Sequence, residues 1–364
     1  MVDGSKTGTN ALPLNLSVST GMPGRTRSVT TEDLQNTSFR SGQQIDIFIQ
    51  DAHTGSETKT VYSLPLTFTT GDLNDAGKNI LTGHTLYWPA LEHGINVYGV
   101  FPSGIVDEHA LDDSKTYSFS VSANQSAFGS STMPVKEDRP DGTSDEDWAA
   151  YEAQYAADCD AAQGYRGSDL MIGKPTGDNP VSQPAFDEAA APVNITFIHM
   201  LSKVIVNIEK TDATDYTDGQ LACARVTILN TRPAATFSVT EQTAVVDNTV
   251  AAVPIIARET VEETDNSDPN NPVTTTLYTG KSVAAVIVPQ TVAAGDFIQI
   301  EVGEDTYIYS LPAARTFTSG NVYTFTITVH KASITVTSTI NPWYDGVGEA
   351  DEDEHNQTGN GYLQ

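Results

Sequence analysis

Acids dominate the side chains that could do chemistry: 47 Asp+Glu against 19 Lys+Arg and 7 His, a formal net charge of −28. They crowd two runs, 259–268 and 349–354. Clustered carboxylates suit calcium, but neither run has the D-x-[DN]-x-[DN]-G spacing of a calcium loop, so both read as solvated charge. The histidines, at 53, 84, 93, 109, 199, 330 and 355, include no HExxH pair. His199 alternates within a strand and is expected to be packed. No GxSxG elbow is present for a serine nucleophile. A glycosidase would need two carboxyls facing each other at ~5–9.5 Å, and no motif here announces such a pair. The residues point away from an enzyme and to no cofactor or metal. Cys159 and Cys223 lie in segments of different character, so free thiols are expected rather than a disulfide.

One basic pair stands out. Arg25 and Arg27 lie in TGMPGRTRSV, a Gly/Pro-broken loop that follows the first apolar alternation. They suit a protease cleavage site; the plain alternative is two loop arginines. Trp88 and Trp343 offer faces for a sugar ring, yet each neighbours a proline, and tryptophan commonly anchors the packing of a sandwich. Trp148, Tyr151 and Tyr155 fall at i, i+3 and i+7, one stripe of a helix. That stripe would bind a partner or, the more ordinary role, pack the helix onto its own domain.

The elements around these residues are mostly strands. Leu12, Leu14, Leu16 and Val18 alternate with polar or small residues and form a first strand. Ile45, Ile47 and Ile49 share one face of the next, with Phe48 on the other. Val61 to Thr69, Thr116 to Ser122 and Ser168 to Lys174 follow. Asp145 to Gln163 is a helix with acids in its first turn, favourable to the helix dipole. In the second half Val204, Val206 and Ile208 share a face, and Ala224 to Leu229 and Ala234 to Val239 are strands. Glu259 to Pro272 is an acidic hairpin tip. From Val283 to Trp343 nearly everything is strand, with Tyr323, Phe325, Ile327 and Val329 alternating with threonines. After Trp343 the acidic tail reads as disordered.

Strands at short spacing separated by turns give an all-β chain of two β-sandwich domains in tandem. Residues 1–188 form the first, with a helical insertion around 136–166. Residues 189–364 form the second, with the acidic tail. The Pro/Gly-rich stretch 176–192 separates them. The charge argues against nucleic acid and against docking on anionic lipid. No apolar run approaches a membrane span. No secretory signal is visible, and the Thr-rich, Cys-poor character favours a trimmed secreted protein.

Seven stretches in order, FRSGQQIDIFIQD, TLYWPALEHGINVYGVFP, SDLMIGK, FIHMLSKVIVNI, VIVPQTVAAGDFIQIEV, FTSGNVYTFTITV and ITVTSTINPW, resemble the fimbrillins of FimA/Mfa type, the type V pilins of Bacteroidales. The resemblance covers most of residues 38–343. It implies transthyretin-like (Greek-key) sandwiches and export to the outer membrane as a lipoprotein. It also implies cleavage after a basic residue in the loop following the first strand. Loss of that strand opens a groove that a neighbouring subunit's C-terminal strand fills. Carried over, Leu12, Leu14, Leu16 and Val18 belong to the removable strand, and Arg25 or Arg27 marks the cut. Ile334, Val336, Ile340 and Trp343 belong to the donor strand. The lipid-bearing cysteine is missing. The expected role is a cell-surface fimbrial subunit whose partners are neighbouring pilins. The alternative is a non-polymerising adhesin or tip protein that binds a host glycan or protein. Membrane association would come only through a lipid anchor on the precursor.

Strand addition makes physical sense of this scheme. A sandwich missing a strand exposes unpaired edge amides and an apolar groove, and a donor satisfies both. Five apolar side chains buried at ~1.5–3 kcal/mol each give roughly 8–15 kcal/mol before ordering costs.

Overall fold

The computed structural model describes residues 12–20, 39, 41–52, 65–74, 78–88, 94–106, 111, 115–127, 129, 139–140, 142–183, 192–209, 216–259, 263–265, 273–275, 281–330, 333–343 and 357–363. The first half of the chain contributes β1 (Pro13–Leu14), β2 (Leu16–Thr20), β3 (Gln44–Asp51), β4 (Leu66–Leu73), β5 (Asn79–Thr82), β6 (Leu86–Tyr87), β7 (Ile95–Phe101), β8 (Tyr117–Ser120), α1 (Asp145–Gly167) and β9 (Met171–Pro175). β10 (Val193–His199) follows.

Alternation decides which core each side chain enters. In β3, Ile45, Ile47 and Ile49 point into one core while Phe48 enters another. The expected first sandwich is, in its hydrogen bonding, a closed barrel of order β10-β2-β5-β4-β3-β7-β9. β10 closes it, pairing parallel with β2 and antiparallel with β9. Closure leaves the barrel sheet with no open edge. Space for closure comes from two glycines opposite one another, Gly99 of β7 and Gly173 of β9. A Cβ on Gly99 would lie 2.2 Å from the Phe197 ring, and one on Gly173 would lie 2.7 Å from it. The ring of Phe197 fills the volume that two side chains would have taken.

α1 begins as the sequence predicts. Ser144 caps it, accepting from the Asp147 amide at 3.1 Å, with Asp145, Glu146 and Asp147 in its first turn. It runs four residues past the expected end, and its helical geometry breaks at Gly164 (φ 48°). Residues 136–138 of the expected insertion lie outside the described residues. The boundary near 188 does too; β10, beyond it, still pairs inside the barrel.

The second half supplies β11 (Ser202–Glu209), α2 (Asp218–Ala222), β12 (Arg225–Thr231), β13 (Ala234–Ser238), β14 (Thr243–Val246), β15 (Val253–Ile256), β16 (Arg258–Glu259), β17 (Glu263–Asp265), β18 (Val273–Thr275), β19 (Lys281–Ile287), β20 (Gln290–Val292), β21 (Gly295–Val302), β22 (Asp305–Leu311), β23 (Arg315–Phe317), β24 (Asn321–His330), β25 (Ser333–Pro342) and β26 (Gln357–Leu363). Ten of them form one sheet, β15-β12-β21-β22-β26-β25-β24-β11-β19-β16. β11 and β24 run parallel with Val204 opposite Tyr323, Val206 opposite Phe325 and Ile208 opposite Ile327. All six are buried, as their two-residue period predicts. A smaller sheet, β14-β13-β8, brings β8 of the first half onto β13 of the second. β17 and β18 pair as the expected acidic hairpin.

The tail corrects the sequence reading. Instead of staying without structure, it ends in β26, which lies between β22 and β25. The backbone of β25 carries donors and acceptors on both sides, and an unpaired row beside a core strand is costly. β26 satisfies that row.

Candidate functional site: the first and last strands

The first strand is seated in the barrel wall. Leu14, Leu16 and Val18 are buried in the barrel core, Val18 to 0% exposure, and half-buried Leu12 packs against them. Burial of the three is worth about 5–9 kcal/mol at ~1.5–3 kcal/mol each. The backbone hold is uneven. Five residue pairs join β2 to β10, from Leu16↔Val193 to Thr20↔Phe197, while only Ser17↔Ile80 and Val18↔Asn79 join it to β5. β1 adds Pro13↔Tyr87 and Leu14↔Leu86. The Trp88 amide donates to Leu12 O at 2.9 Å, and the Val193 amide to Asn15 O at 2.8 Å. Ser17 Oγ donates to Asn194 Oδ1 at 3.3 Å.

β25 is folded home. All ten of its residues pair with β24, from Asn321↔Pro342 to His330↔Ser333, and six pair with β26 on the other side. Ile334 and Val336 are buried, Ile340 is half-buried, and Thr335, Thr337 and Thr339 face out. One inward position is polar. Ser338 Oγ accepts from the buried Arg315 Nη1 at 3.1 Å, and the guanidinium lies 5.1 Å from the Phe325 ring and 5.5 Å from that of Tyr323. Burial pulls the Arg315 pKa below its ordinary value.

Trp343 ends the strand. Its ring stacks on His199 at 3.9 Å and 6°, with the Lys203 ammonium 5.6 Å from the indole. His199 Nδ1 lies 2.8 Å from Asp169 Oδ1, with both side chains essentially without exposure. Asp169 Oδ2 and His199 Nε2 have no hydrogen-bond partner among the described residues. Each such atom costs about 1–3 kcal/mol when buried. His199 is packed, as expected, and Trp343 packs too. Nothing in the sequence tied Asp169 to a histidine 30 residues on; the one available signal was an acid beside the apolar run LMI.

The remaining sequence candidates divide. Arg25 and Arg27 lie outside the described residues, as does the run 349–354. Glu259 of the other acidic run pairs with Lys281 at 3.2 Å. Among the described residues no three His, Cys, Asp or Glu gather as an ion site. Cys223 is a free, exposed thiol; the Cys159 side chain lies outside the described residues. Trp88 is 9% exposed and belongs to the barrel core, beside a cleft of about 530 Å3 that also takes in Lys78, Asp178 and Asn194. Trp148, Tyr151 and Tyr155 stack on one another at 4.9 and 6.3 Å and are half-buried. In the barrel wall, Asp46 accepts from the Gly104 amide at 2.6 Å and from Thr67 Oγ1 at 2.7 Å. Burial raises its pKa, and those two hydrogen bonds oppose the rise.

Known proteins resemble this chain in sequence and fold. The family model described as fimbrillin-like matches residues 140–343, more than half of the chain. A proposed fimbrium subunit, Fim1C of Bacteroides uniformis, is 27% identical over 168 residues, 44% of this chain and 49% of the relative. The chain thus spans about half the length of that curated relative. Two crystal structures of proposed cell adhesion proteins share the fold. The one from Bacteroides ovatus has a TM-score of 0.56 at 12% identity, over 92% of this chain and 99% of its own. The one from Bacteroides uniformis has 0.52 at 18%, over 91% and 98%.

Proposed function

We propose that this chain, which belongs to the fimbrillin-like family, is a structural subunit of a cell-surface fimbria that polymerises by exchange of strands. That family is one of fimbrial structural proteins, so the chain is not an enzyme. The observation that carries the reading is the seat of the first strand. β2 fills a slot in the barrel wall while β1 pairs with β6 beside it, and residues 12–18 set apolar side chains at a two-residue period against the barrel core. They connect to the rest of the chain through residues 21–38, which carry Arg25 and Arg27.

Cleavage after either arginine would leave the first strand held by packing and hydrogen bonds alone. Its departure would open a groove between β5 and β10. A donor that reproduces the lost pairing runs parallel to β10 and antiparallel to β5. The segment from Ile334 to Trp343, with the chain that follows it, is the donor in this reading. Its inward residues Ile334, Val336 and Ile340 repeat the period of Leu12, Leu14, Leu16 and Val18. The subunit's partners are then its neighbours in the fimbria, and a lipid anchor on the precursor would bring it to the outer membrane. Two transthyretin-like domains complete this picture, with β10, beyond the expected boundary near residue 188, belonging to the wall of the first. Limited trypsin digestion of the native protein tests it. Clipping at Arg25 or Arg27 followed by oligomers on size exclusion is expected, and the double alanine variant should stay intact and monomeric. A clipped chain that stays monomeric would reject the reading.

A second reading is an adhesin or tip protein. It is favoured by the stacked Trp148, Tyr151 and Tyr155, half-buried along one stripe of α1. Binding to host glycan or protein that Trp148→Ala with Tyr151→Ala abolishes would support it. Undiminished binding would remove the helix from consideration.

A further inference from the structure

We propose that Trp343, seated on the buried Asp169–His199 pair, is a latch that couples the last strand to the barrel, so that loosening either one loosens the other.

Four segments meet at this point. His199 is the last residue of β10, the strand that carries five of the first strand's residue pairs. Asp169 precedes β9, the other neighbour of β10. Lys203 is the second residue of β11, in the ten-stranded sheet. Trp343 follows directly on β25. Only Met200 and Leu201 separate the barrel from the second sheet here. The turn before β24 is tied to the same place: the Gly320 amide donates to Leu201 O at 2.8 Å, and Ser319 Oγ to His199 O at 3.3 Å. The Trp343 amide closes the ring of contacts on Gly320 O at 2.5 Å.

β25 therefore cannot leave its place without stripping the indole from His199 and the amide from Gly320. Stripping the indole uncovers one face of the buried imidazole. The Asp169–His199 pair beneath it holds two buried polar atoms with no hydrogen-bond partner among the described residues. In the other direction, a barrel whose β10 loosens loses the fixed imidazole on which Trp343 rests. Coupling of this kind is reciprocal by thermodynamic necessity. It needs a contact with two discrete arrangements, and stacked versus solvated is such a pair.

The coupling is a property of the folded monomer; only its consequence for assembly rests on the function proposed above. The test is hydrogen exchange on the uncleaved monomer, so it can fail while polymerisation stands, and the reverse. Trp343→Ala should speed exchange at the amides of β9 and β10, as well as of β25, by roughly two- to tenfold, the range expected for loss of an aromatic stack. Trp343→Phe, which keeps a ring on His199, should restore most of the protection. Val336→Ala, in β25 but away from the latch, should loosen β25 and spare β9 and β10. Leu16→Ala, in the barrel, supplies the reciprocal arm and should raise exchange at the end of β25, whether or not Trp343→Ala folds. A barrel unaffected by Trp343→Ala, a Val336→Ala effect of equal size on the barrel, or no effect of Leu16→Ala on β25 would each overturn the latch.

Discussion

β2 and β25 both carry apolar side chains at a two-residue period into a core, yet they are held in opposite ways. β2 is short and has five residue pairs on one flank and two on the other. Its hold, with that of β1 just before it, comes from Leu14, Leu16 and Val18 in the barrel core. β25 is twice as long and is paired along its whole length with β24 and over six residues with β26. Its inner face includes a serine on a buried arginine, and its outer face is threonine. The first strand is thus a plug kept in place by burial, whereas the last is a ladder kept in place by backbone hydrogen bonds. A plug yields to loss of its covalent tether. A ladder yields when an equivalent ladder is offered elsewhere, since strand addition replaces one set of backbone bonds with another.

A set of substitutions and one titration tests this contrast. Leu16→Ala removes a buried side chain from the plug and should cost about 2–5 kcal/mol in urea unfolding. The same measurement on Val336→Ala should give the smaller loss, because backbone pairing carries more of β25; the reverse order would break the comparison. Gly99→Ala would set a Cβ against Phe197, and overpacking of this kind costs about 1–3 kcal/mol. Its melting temperature should fall and its barrel amides exchange faster, while an unchanged melt would mean that the Phe197 ring has room to move. Ser338→Ala takes from Arg315 its hydrogen bond to β25 and should cost about 1–3 kcal/mol, with Ser338→Thr milder. Equal costs for alanine and threonine would remove the hydroxyl from the account.

The smallest effect is on pH. Burial raises the Asp46 pKa in the folded barrel above the ordinary 3.8. Below 3.8 the group is protonated folded or unfolded. As pH rises from there toward the raised folded value, the unfolded chain gives up its proton first, so the barrel loses stability across that window. An NMR titration of the Asp46 carboxyl should have its midpoint above 3.8, and a midpoint at or below it would contradict the burial argument.

Much of this was legible in the residues. The isoleucines of β3 and the Tyr/Phe/Ile/Val series of β24 declare their faces, because a strand's period is two and both stretches keep it. The acids from Asp145 onward declare the start of α1, while its cap, Ser144, comes from the structure. Barrel closure was not legible. It depends on β2 meeting β10, with Leu16 opposite Val193 far along the chain, and on Gly99 and Gly173 sharing a seat that neither local sequence announces. β26 was missed because its Gly- and Asn-rich sequence lacks strand propensity; its place is set by the backbone of β25. The donor and plug residues were named from family resemblance and period. Arg315, Asp169 and His199 were not joined to them, since buried polar contacts between distant segments leave no periodic trace.

The central claim is that the first strand is removable and that its slot is what the next subunit fills. Native mass spectrometry of oligomers formed after limited trypsin digestion tests it most directly. The account predicts subunits that have lost the peptide ending at Arg25 or Arg27, in assemblies that grow with the extent of cleavage. Oligomers whose every subunit still retains that peptide would contradict it.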